Sequence, residues 1–226
     1  MMQRFLLHQP SEEAYRRNPA FAIEVLDGVT LERVSDGIDV IAVGLNSKPF
    51  INSGGIFVWR SQNIDALQAI RIDTGRQPYE EITIARAALK LPPTRRPITS
   101  LVLSPRANYP FAAGTTGIRG RLIASSTPPQ VGVAGARISL VWLDDDGVTW
   151  REGAPESRTT VKGDFVSVLR LRPADVPRVI NGALTVRVRA TRNLSTRFSA
   201  GLQLPQGRVA DPTTLSSILA WDALQP

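Results

Sequence analysis

The chain has 226 residues, of which 42% are hydrophobic and 21% charged, and its formal net charge is +7 at pH 7. This length is enough for one large or two small domains, and the composition is typical of globular proteins. The chain has no cysteine and a single histidine, His8. These counts exclude a disulfide framework, a zinc site of a common type and Ser-His-Asp catalysis, and we predict no catalytic, cofactor or metal site.

Arginine supplies nearly all of the basic charge, because only three of the 27 basic residues are lysines. The planar guanidinium favours carboxylate and phosphate groups, so an acidic partner is one interpretation and arginine-rich codon usage is the other. Nucleic-acid-binding domains usually gather basic residues in one patch with interleaved aromatics. Here the basic residues are scattered and aromatic residues make up 6% of the chain. We therefore do not expect nucleic-acid binding.

The first eight residues contain three consecutive apolar residues, at 5–7, followed by Gln9 and Pro10. A secretory signal would need an apolar core of about 7–15 residues, and a membrane-spanning helix about 20. We therefore expect cytoplasmic synthesis without a signal peptide and no membrane insertion. The protein would then leave the cytoplasm only as part of a virion or an exported particle.

Short stretches with alternating apolar residues recur along the chain, separated by turns such as Asp27-Gly28 and Asp36-Gly37. This pattern predicts β-strands rather than helices. The strands form two similar sets about a hundred residues apart, at 21–26, 38–43, 56–59, 69–73, 81–87 and 98–103, then at 117–123, 135–142, 162–168, 184–190 and 198–204. The predicted fold is all-β, with two tandem antiparallel β-sandwich domains, an N-terminal arm and a short C-terminal helix.

Composition changes place the domain boundaries. We predict an N-terminal arm over 1–20, a first sandwich over 21–104, a linker over 105–116, a second sandwich over 117–205 and a helical tail over 206–226. The linker is assigned from its prolines, glycine and scarcity of apolar pairs. Predicted core residues of the first sandwich are Ile38, Val40, Phe57, Val58, Ile70, Ile72, Ile82, Ile84 and Leu101. Those of the second are Leu122, Ile138, Leu140, Phe165, Val168, Leu184, Val186, Val188 and Phe198.

The C-terminal segment has a different pattern. Asp211 and Pro212 are typical of a helix start. The apolar side chains that follow fall at helical spacing and include Leu215, Ile218, Leu219, Trp221 and Leu224. So short a helix is unstable alone and must pack on its own sandwich or on a neighbouring subunit. We predict the second, with Leu215, Ile218, Leu219 and Trp221 as partner-binding residues.

Three further positions are candidate binding residues. Arg187 and Arg189 alternate with apolar residues, so they share one face of a strand, which is either a plain solvent face or an interface with an acidic neighbour. Trp150 follows the acidic turn 144–147 and is the candidate for ligand binding. That turn, Asp-Asp-Asp-Gly, is interpreted as a solvated hairpin, with weak calcium binding as the alternative, because its contiguous carboxylates do not match an EF-hand loop.

Three motifs in the second half are carried by residues 117–123 (Gly-Ile-Arg-Gly-Arg-Leu-Ile), 133–141 (Val-Ala-Gly-Ala-Arg-Ile-Ser-Leu-Val) and 160–166 (Thr-Val-Lys-Gly-Asp-Phe-Val). They resemble the carboxypeptidase regulatory-like domain, a small transthyretin-like (prealbumin-like) β-sandwich. Gly135 would support a tight turn, and Gly163 a positive φ before Phe165 enters the core. The first half matches more loosely and could equally be another immunoglobulin-like sandwich. The resemblance implies an accessory module for packing, adhesion or assembly.

The leading functional prediction is a non-enzymatic structural or assembly component of a multi-subunit particle, such as a phage tail or a contractile injection system. Its partners would be other protein subunits, contacted through the terminal extensions. The alternative is a module that binds carbohydrate or a cell surface through Trp150. No cofactor is expected in either case.

Overall fold

The computed structural model describes residues 20–60, 63–153, 155–210 and 218–226. Regular structure in these residues consists of β-strands and two single turns of 3-10 helix, at Arg86–Ala88 and Trp221–Ala223. The strands form four sheets, which enclose two hydrophobic cores. The predicted all-β, sandwich-type fold is therefore confirmed. The predicted arm lies mostly at 1–19, outside the described residues.

The first sandwich is built from seven strands. They are β1 (Phe21–Asp27), β2 (Asp39–Val43), β3 (Phe50–Ile51), β4 (Phe57–Trp59), β5 (Ala69–Asp73), β6 (Ile82–Ala85) and β7 (Ile98–Leu103). One sheet has the order β3-β4-β1-β7 and the other β2-β5-β6. Neighbouring strands are antiparallel except β1 and β7, which are parallel. Both sheets bury side chains in one core, where the Phe21 and Trp59 rings stack with centroids 4.6 Å apart.

The second sandwich is built from eleven strands. They are β8 (Gly117–Ile123), β9 (Arg137–Leu143), β10 (Trp150–Glu152), β11 (Ser157–Arg158), β12 (Asp164–Val168), β13 (Val179–Ile180), β14 (Ala183–Arg192), β15 (Ser195–Phe198), β16 (Leu202–Pro205), β17 (Val209–Ala210) and β18 (Ile218–Ala220). A seven-stranded sheet is centred on β9 and β14, and a four-stranded sheet on β8. Phe165 is buried between them, and Gly163 before it has the predicted positive φ, at 82°.

The prediction of a C-terminal helix is wrong for residues 218–226, the part of the tail that the structure describes. Residues 218–220 form β18, which lies parallel to β8 with Leu219 opposite Leu122. Ile218 is 56% exposed while Leu219 and Leu224 are buried in the second core, and this alternation follows a strand rather than a helix. The reason is that β8 has an edge whose backbone groups are paired by a strand and not by a helix. Leu215 lies outside the described residues.

The described part of the tail, 218–226, therefore packs on its own sandwich, with Leu219 in the second core and Trp221 against it. Partner binding by Leu219 and Trp221 stays a prediction. Trp221 packs against the second core, and its backbone carbonyl accepts a hydrogen bond from Arg197 at 2.8 Å. The Arg197 guanidinium also lies over the indole, with its carbon 5.2 Å from the ring centroid. Ile218 stays exposed, but it forms no larger apolar stripe with these residues.

The segment 105–116, predicted as a linker, lies against both sandwiches. Tyr109 is buried in the first core, and Phe111 packs against it. From β8, Arg119 donates a hydrogen bond to the Tyr109 carbonyl at 2.6 Å and a second to the Ala107 carbonyl. A further contact joins the two sandwiches directly, because Arg170 Nη1 donates to the Gly28 carbonyl at 3.0 Å. The described part of the chain thus connects its two sandwiches through several polar contacts.

Candidate partner-binding site

Three of the predicted binding residues, Trp150, Arg187 and Arg189, lie together on the outer face of the seven-stranded sheet. The even-numbered residues 184–190 of β14 are buried in the second core, so Arg187 and Arg189 point to the opposite side. β9 and β10 extend this face, because Val141 lies opposite both Arg187 and Glu152. Trp150 is two residues before Glu152 and therefore shares its face. We call Val141, Trp150, Arg187 and Arg189 together the outer-face site.

Arg189 has its charge neutralised within the chain. It donates hydrogen bonds to Ser139 Oγ at 2.9 Å, to Glu156 Oε1 at 2.9 Å and to Glu152. Its side chain is largely buried, whereas both glutamates are more exposed. A guanidinium held by two carboxylates and a hydroxyl is fixed in place. Arg189 therefore orients the rim of the site and is not free to bind an acidic partner.

Arg187, by contrast, forms no ion pair with any residue that the structure describes. Its guanidinium carbon lies 4.2 Å from the centroid of the Trp150 ring, in a cation–π arrangement. Its Nε is buried and has no hydrogen-bond partner in the described part of the protein. Val141 and Leu143 are buried on the same face. Arg187 is thus a half-buried cation that lacks a carboxylate and is held by an aromatic ring.

The stack also decides what Trp150 can do. The indole is half-buried, and the Arg187 guanidinium covers one face of the ring. Sugars bind to sandwich domains by stacking on an exposed aromatic face, which this arrangement reduces. Trp150 is therefore better placed to hold Arg187 than to bind a carbohydrate.

The acidic turn beside the site is a hairpin turn between β9 and β10, as predicted. Asp146 accepts hydrogen bonds from the hydroxyl and the backbone N–H of Thr149 and from the backbone N–H of Val148, and these bonds lower its pKa to about 2. Asp144 is nearly buried and pairs with Arg151 at 2.5 Å. Within the described residues no group of three or more acidic, histidine or cysteine side chains could hold a metal ion.

Sequence patterns did not identify Ser139, Glu152 and Glu156 as part of this site. The alternation in β9 could have placed Ser139 on the outer face, since it lies between the buried Ile138 and Leu140. Glu152 and Glu156 lie between the predicted strands 135–142 and 162–168, and only the pairing of β10 and β11 with β9 brings them to Arg189.

No helix among the residues that the structure describes is long and apolar enough to cross a membrane. No family model matches the chain, and no curated protein matches it. The resemblance to the carboxypeptidase regulatory-like domain thus stays a prediction within the confirmed sandwich-type fold.

Two solved structures show distant similarity. The Bacillus anthracis TIE protein has a TM-score of 0.26 and 10% identity, over 85% of this chain and 33% of that chain. A streptococcal ancillary pilin has a TM-score of 0.23 and 8% identity, over 84% of this chain and 60% of that chain. The present chain therefore spans about a third and three fifths of these proteins, respectively. Similarity at this level carries no functional argument.

Proposed function

We propose that this protein is a non-enzymatic structural or assembly subunit that binds another protein through the outer-face site. The observation that supports the proposal is the state of Arg187, a half-buried guanidinium stacked on Trp150 without a carboxylate partner among the described residues. In this proposal a carboxylate of the partner subunit binds Arg187.

The physical argument compares the free and the bound state. The buried Nε is out of reach of a partner, so a carboxylate would bind the other N–H groups of the Arg187 guanidinium through charge-assisted hydrogen bonds. Stacking on Trp150 fixes the guanidinium in advance, so less side-chain entropy is lost on binding. Arginine and tryptophan are also the residues most enriched in the energetically important centres of protein interfaces.

The rim of the site suits the same role. Glu152 and Glu156 are held by Arg189 and leave Arg187 as the cation available to a partner. The buried Val141 and Leu143 beneath it provide an apolar floor, which is typical of the centre of an interface. The carbohydrate-binding alternative is not favoured by any feature of the site, since Arg187 covers one face of Trp150.

A phage tail or a contractile injection system is one kind of particle in which such a subunit would serve. Neither a family model nor a similar structure points to one of them, so the proposal is limited to assembly with protein subunits and does not depend on the particle.

The test is co-purification of the tagged full-length protein from the cells that produce it, with gel filtration and identification of the associated subunits by mass spectrometry. We expect the wild type to elute in a complex, and Arg187→Glu to elute free. Arg187→Lys keeps the charge but loses the planar stack, so it should retain only part of the complex.

Arg95→Glu is the matched control, because it makes the same charge change at an exposed arginine of the first sandwich. It should behave like the wild type. A wild type that elutes as a free monomer, or an Arg187→Glu variant that stays in the complex, would contradict the proposal.

A further inference from the structure

The hairpin between β14 and β15 presents an apolar side chain at its tip. Arg192 and Ser195 are the last pair of the ladder, and Asn193 and Leu194 form the turn with φ values of 48° and 66°. Turns in which both central residues have positive φ favour Asn-Gly, because a side chain is strained in the second position. Leu194 occupies that position and is 99% exposed. It contributes no burial to the fold, so its strained and fully exposed position calls for a role outside the monomer.

Positive charge surrounds this tip. Arg137, Arg158 and Arg192 line a cleft of about 470 Å³ beside the turn, together with Leu194 itself. Arg137 lies 3.8 Å from a carboxylate oxygen of Glu156. Arg192 forms no ion pair with any described residue. We define the hairpin tip as Leu194 with these three arginines. It presents an exposed apolar side chain next to positively charged residues.

The first sandwich carries a cavity of the opposite character. β2 and β3 are edge strands of its two sheets, and a cavity of about 510 Å³ lies between them. Its floor includes the buried Val40 and Phe57, and its rim the exposed Ile41 and Ile51. Cavities of this volume accommodate small ligands or a few side chains. We call this the edge cavity.

Two charged residues, Asp39 and Lys48, line the edge cavity. Asp39 has a second carboxylate beside it, because the register of β2 and β5 places Asp73 directly opposite Asp39. Like charges at directly opposed positions of a sheet are destabilising. Neither carboxylate forms an ion pair with a described residue. A cation brought to these carboxylates from outside would remove the repulsion.

We infer that the hairpin tip of one copy inserts Leu194 into the edge cavity of a second copy, with its arginines at Asp39 and Asp73. The tip offers an exposed apolar side chain beside arginines, the cavity offers apolar side chains beside Asp39 and Asp73, and the two surfaces lie on different sandwiches of one chain. Such a contact joins two different patches, so it is heterologous and links copies head to tail into a ring or a filament. This inference goes beyond the assembly role proposed above, because it uses two other surfaces and a second copy of the chain.

A contact built on one side chain and a few charges belongs to the weak class of interfaces. Self-association should therefore be measured on the full-length protein by sedimentation velocity from about 10 to about 500 µM, at about 50 mM salt, where charge attraction is little screened. We expect the average sedimentation coefficient to rise with concentration and to fall when salt is added.

Two variants remove one surface each. Leu194→Gly removes the apolar side chain of the hairpin tip, and Ile51→Lys places a positive charge on the rim of the cavity. Each should weaken self-association at least about tenfold, which corresponds to the loss of one important interface contact. Val148→Ser is the matched control, since Val148 is also a strongly exposed aliphatic residue, at 78% against 99% for Leu194, and lies in a different turn; it should associate like the wild type.

Two further measurements separate this inference from a folding defect. Leu194→Gly relieves the strained φ, so its melting temperature should equal or exceed that of the wild type. A mixture of the two variants should form dimers and nothing larger, because the Leu194→Gly chain keeps its cavity and the Ile51→Lys chain keeps its tip. This complementation is specific to a head-to-tail contact.

Several outcomes would overturn the inference. They are a wild type that stays monomeric at every concentration, a Leu194→Gly variant that associates as strongly as the wild type, and a mixture that stays monomeric. Association that appears only after Phe5, Leu6 and Leu7 are changed to serine would assign the cavity to the N-terminal segment instead. None of these outcomes affects the test at Arg187, so failure here and failure of the proposed function are distinguishable.

Discussion

The phenol of Tyr109 donates a hydrogen bond of 2.5 Å to the carboxylate of Asp27, which lies 82 residues earlier in the chain. Tyr79 donates to the same oxygen at 2.8 Å, and the other carboxylate oxygen accepts from the backbone N–H groups of Val29 and Thr30. A buried carboxylate is tolerated only when it is hydrogen-bonded in this way. The cluster fixes the segment after β7 against the turn that follows β1.

Tyr109→Phe should lower the free energy of unfolding by about 1.5–3 kcal/mol, the usual contribution of a hydrogen bond to a charged group. The ring and its contact with Phe111 are retained, so little apolar burial is lost. Urea unfolding of the variant and of Tyr79→Phe measures the effect. Because both phenols serve one carboxylate, the double variant should deviate from the sum of the single losses. Single losses below about 0.5 kcal/mol would show that Asp27 is stabilised by its backbone donors alone.

The same cluster predicts that stability falls in alkaline solution. Burial, together with the hydrogen bond to Asp27 and its negative charge, raises the pKa of both Tyr79 and Tyr109. In the unfolded chain these phenols ionise near pH 10. Above that pH the unfolded state binds fewer protons than the folded state, so stability declines as pH rises toward the folded pKa values. Below pH 10 the contribution is fully present.

Each tyrosine should contribute a slope of up to about 1.4 kcal/mol per pH unit above pH 10. Urea unfolding at pH 9, 10, 11 and 11.5 tests this expectation. The double variant Tyr79→Phe, Tyr109→Phe is less stable at pH 9 but should show a shallower decline. Equal slopes for the variant and the wild type would contradict the assignment.

Gly28 is required where the two sandwiches meet. A methyl group added to it would overlap the Leu103 carbonyl oxygen, and its own carbonyl accepts the hydrogen bond from Arg170. Gly28→Ala should therefore destabilise the protein by about 1–3 kcal/mol through overpacking. Gly201→Ala is the matched control, because its nearest contact is an ordinary one, with Thr185 at 3.9 Å. Thermal unfolding should show a lower midpoint for the first variant and little change for the second.

The alternation of apolar and polar residues was sufficient to predict much of the fold, because successive side chains of a strand point to opposite faces of the sheet and the buried face can be read from one strand alone. Ile70 and Ile72 in β5, and Val186 and Val188 in β14, are buried as predicted. Phe198 is not a core residue, since it is only partly buried and lies opposite Arg189 on the outer face. The two-residue turn before β15 sets this register, and a shift of one residue exchanges the faces.

The site was predicted in part for the same reason. The shared face of Arg187 and Arg189 follows from the alternation within β14. The different surroundings of the two arginines do not follow from that alternation. Trp150 and Glu152 come close to Arg187 and Arg189 only because β10 and β14 both pair with β9, and β14 is distant from β9 in sequence. The tail shows the same limit. The apolar spacing at 215–224 is compatible with a helix, but residues 218–220 form a strand because they pair with the edge of β8.

The tail also gives the last prediction, which tests whether it belongs to the second core. Leu224 is 7% exposed and lies in that core, whereas Ile218, in the same tail, is 56% exposed. Leu224→Ala should cost about 2–5 kcal/mol, because it removes buried apolar surface and leaves a cavity. Ile218→Ala should change stability by less than about 0.5 kcal/mol, as is usual for surface positions. Urea unfolding of both full-length variants measures the difference. Equal, small losses would mean that the tail is not held by its own sandwich, and would return it to a partner-binding role.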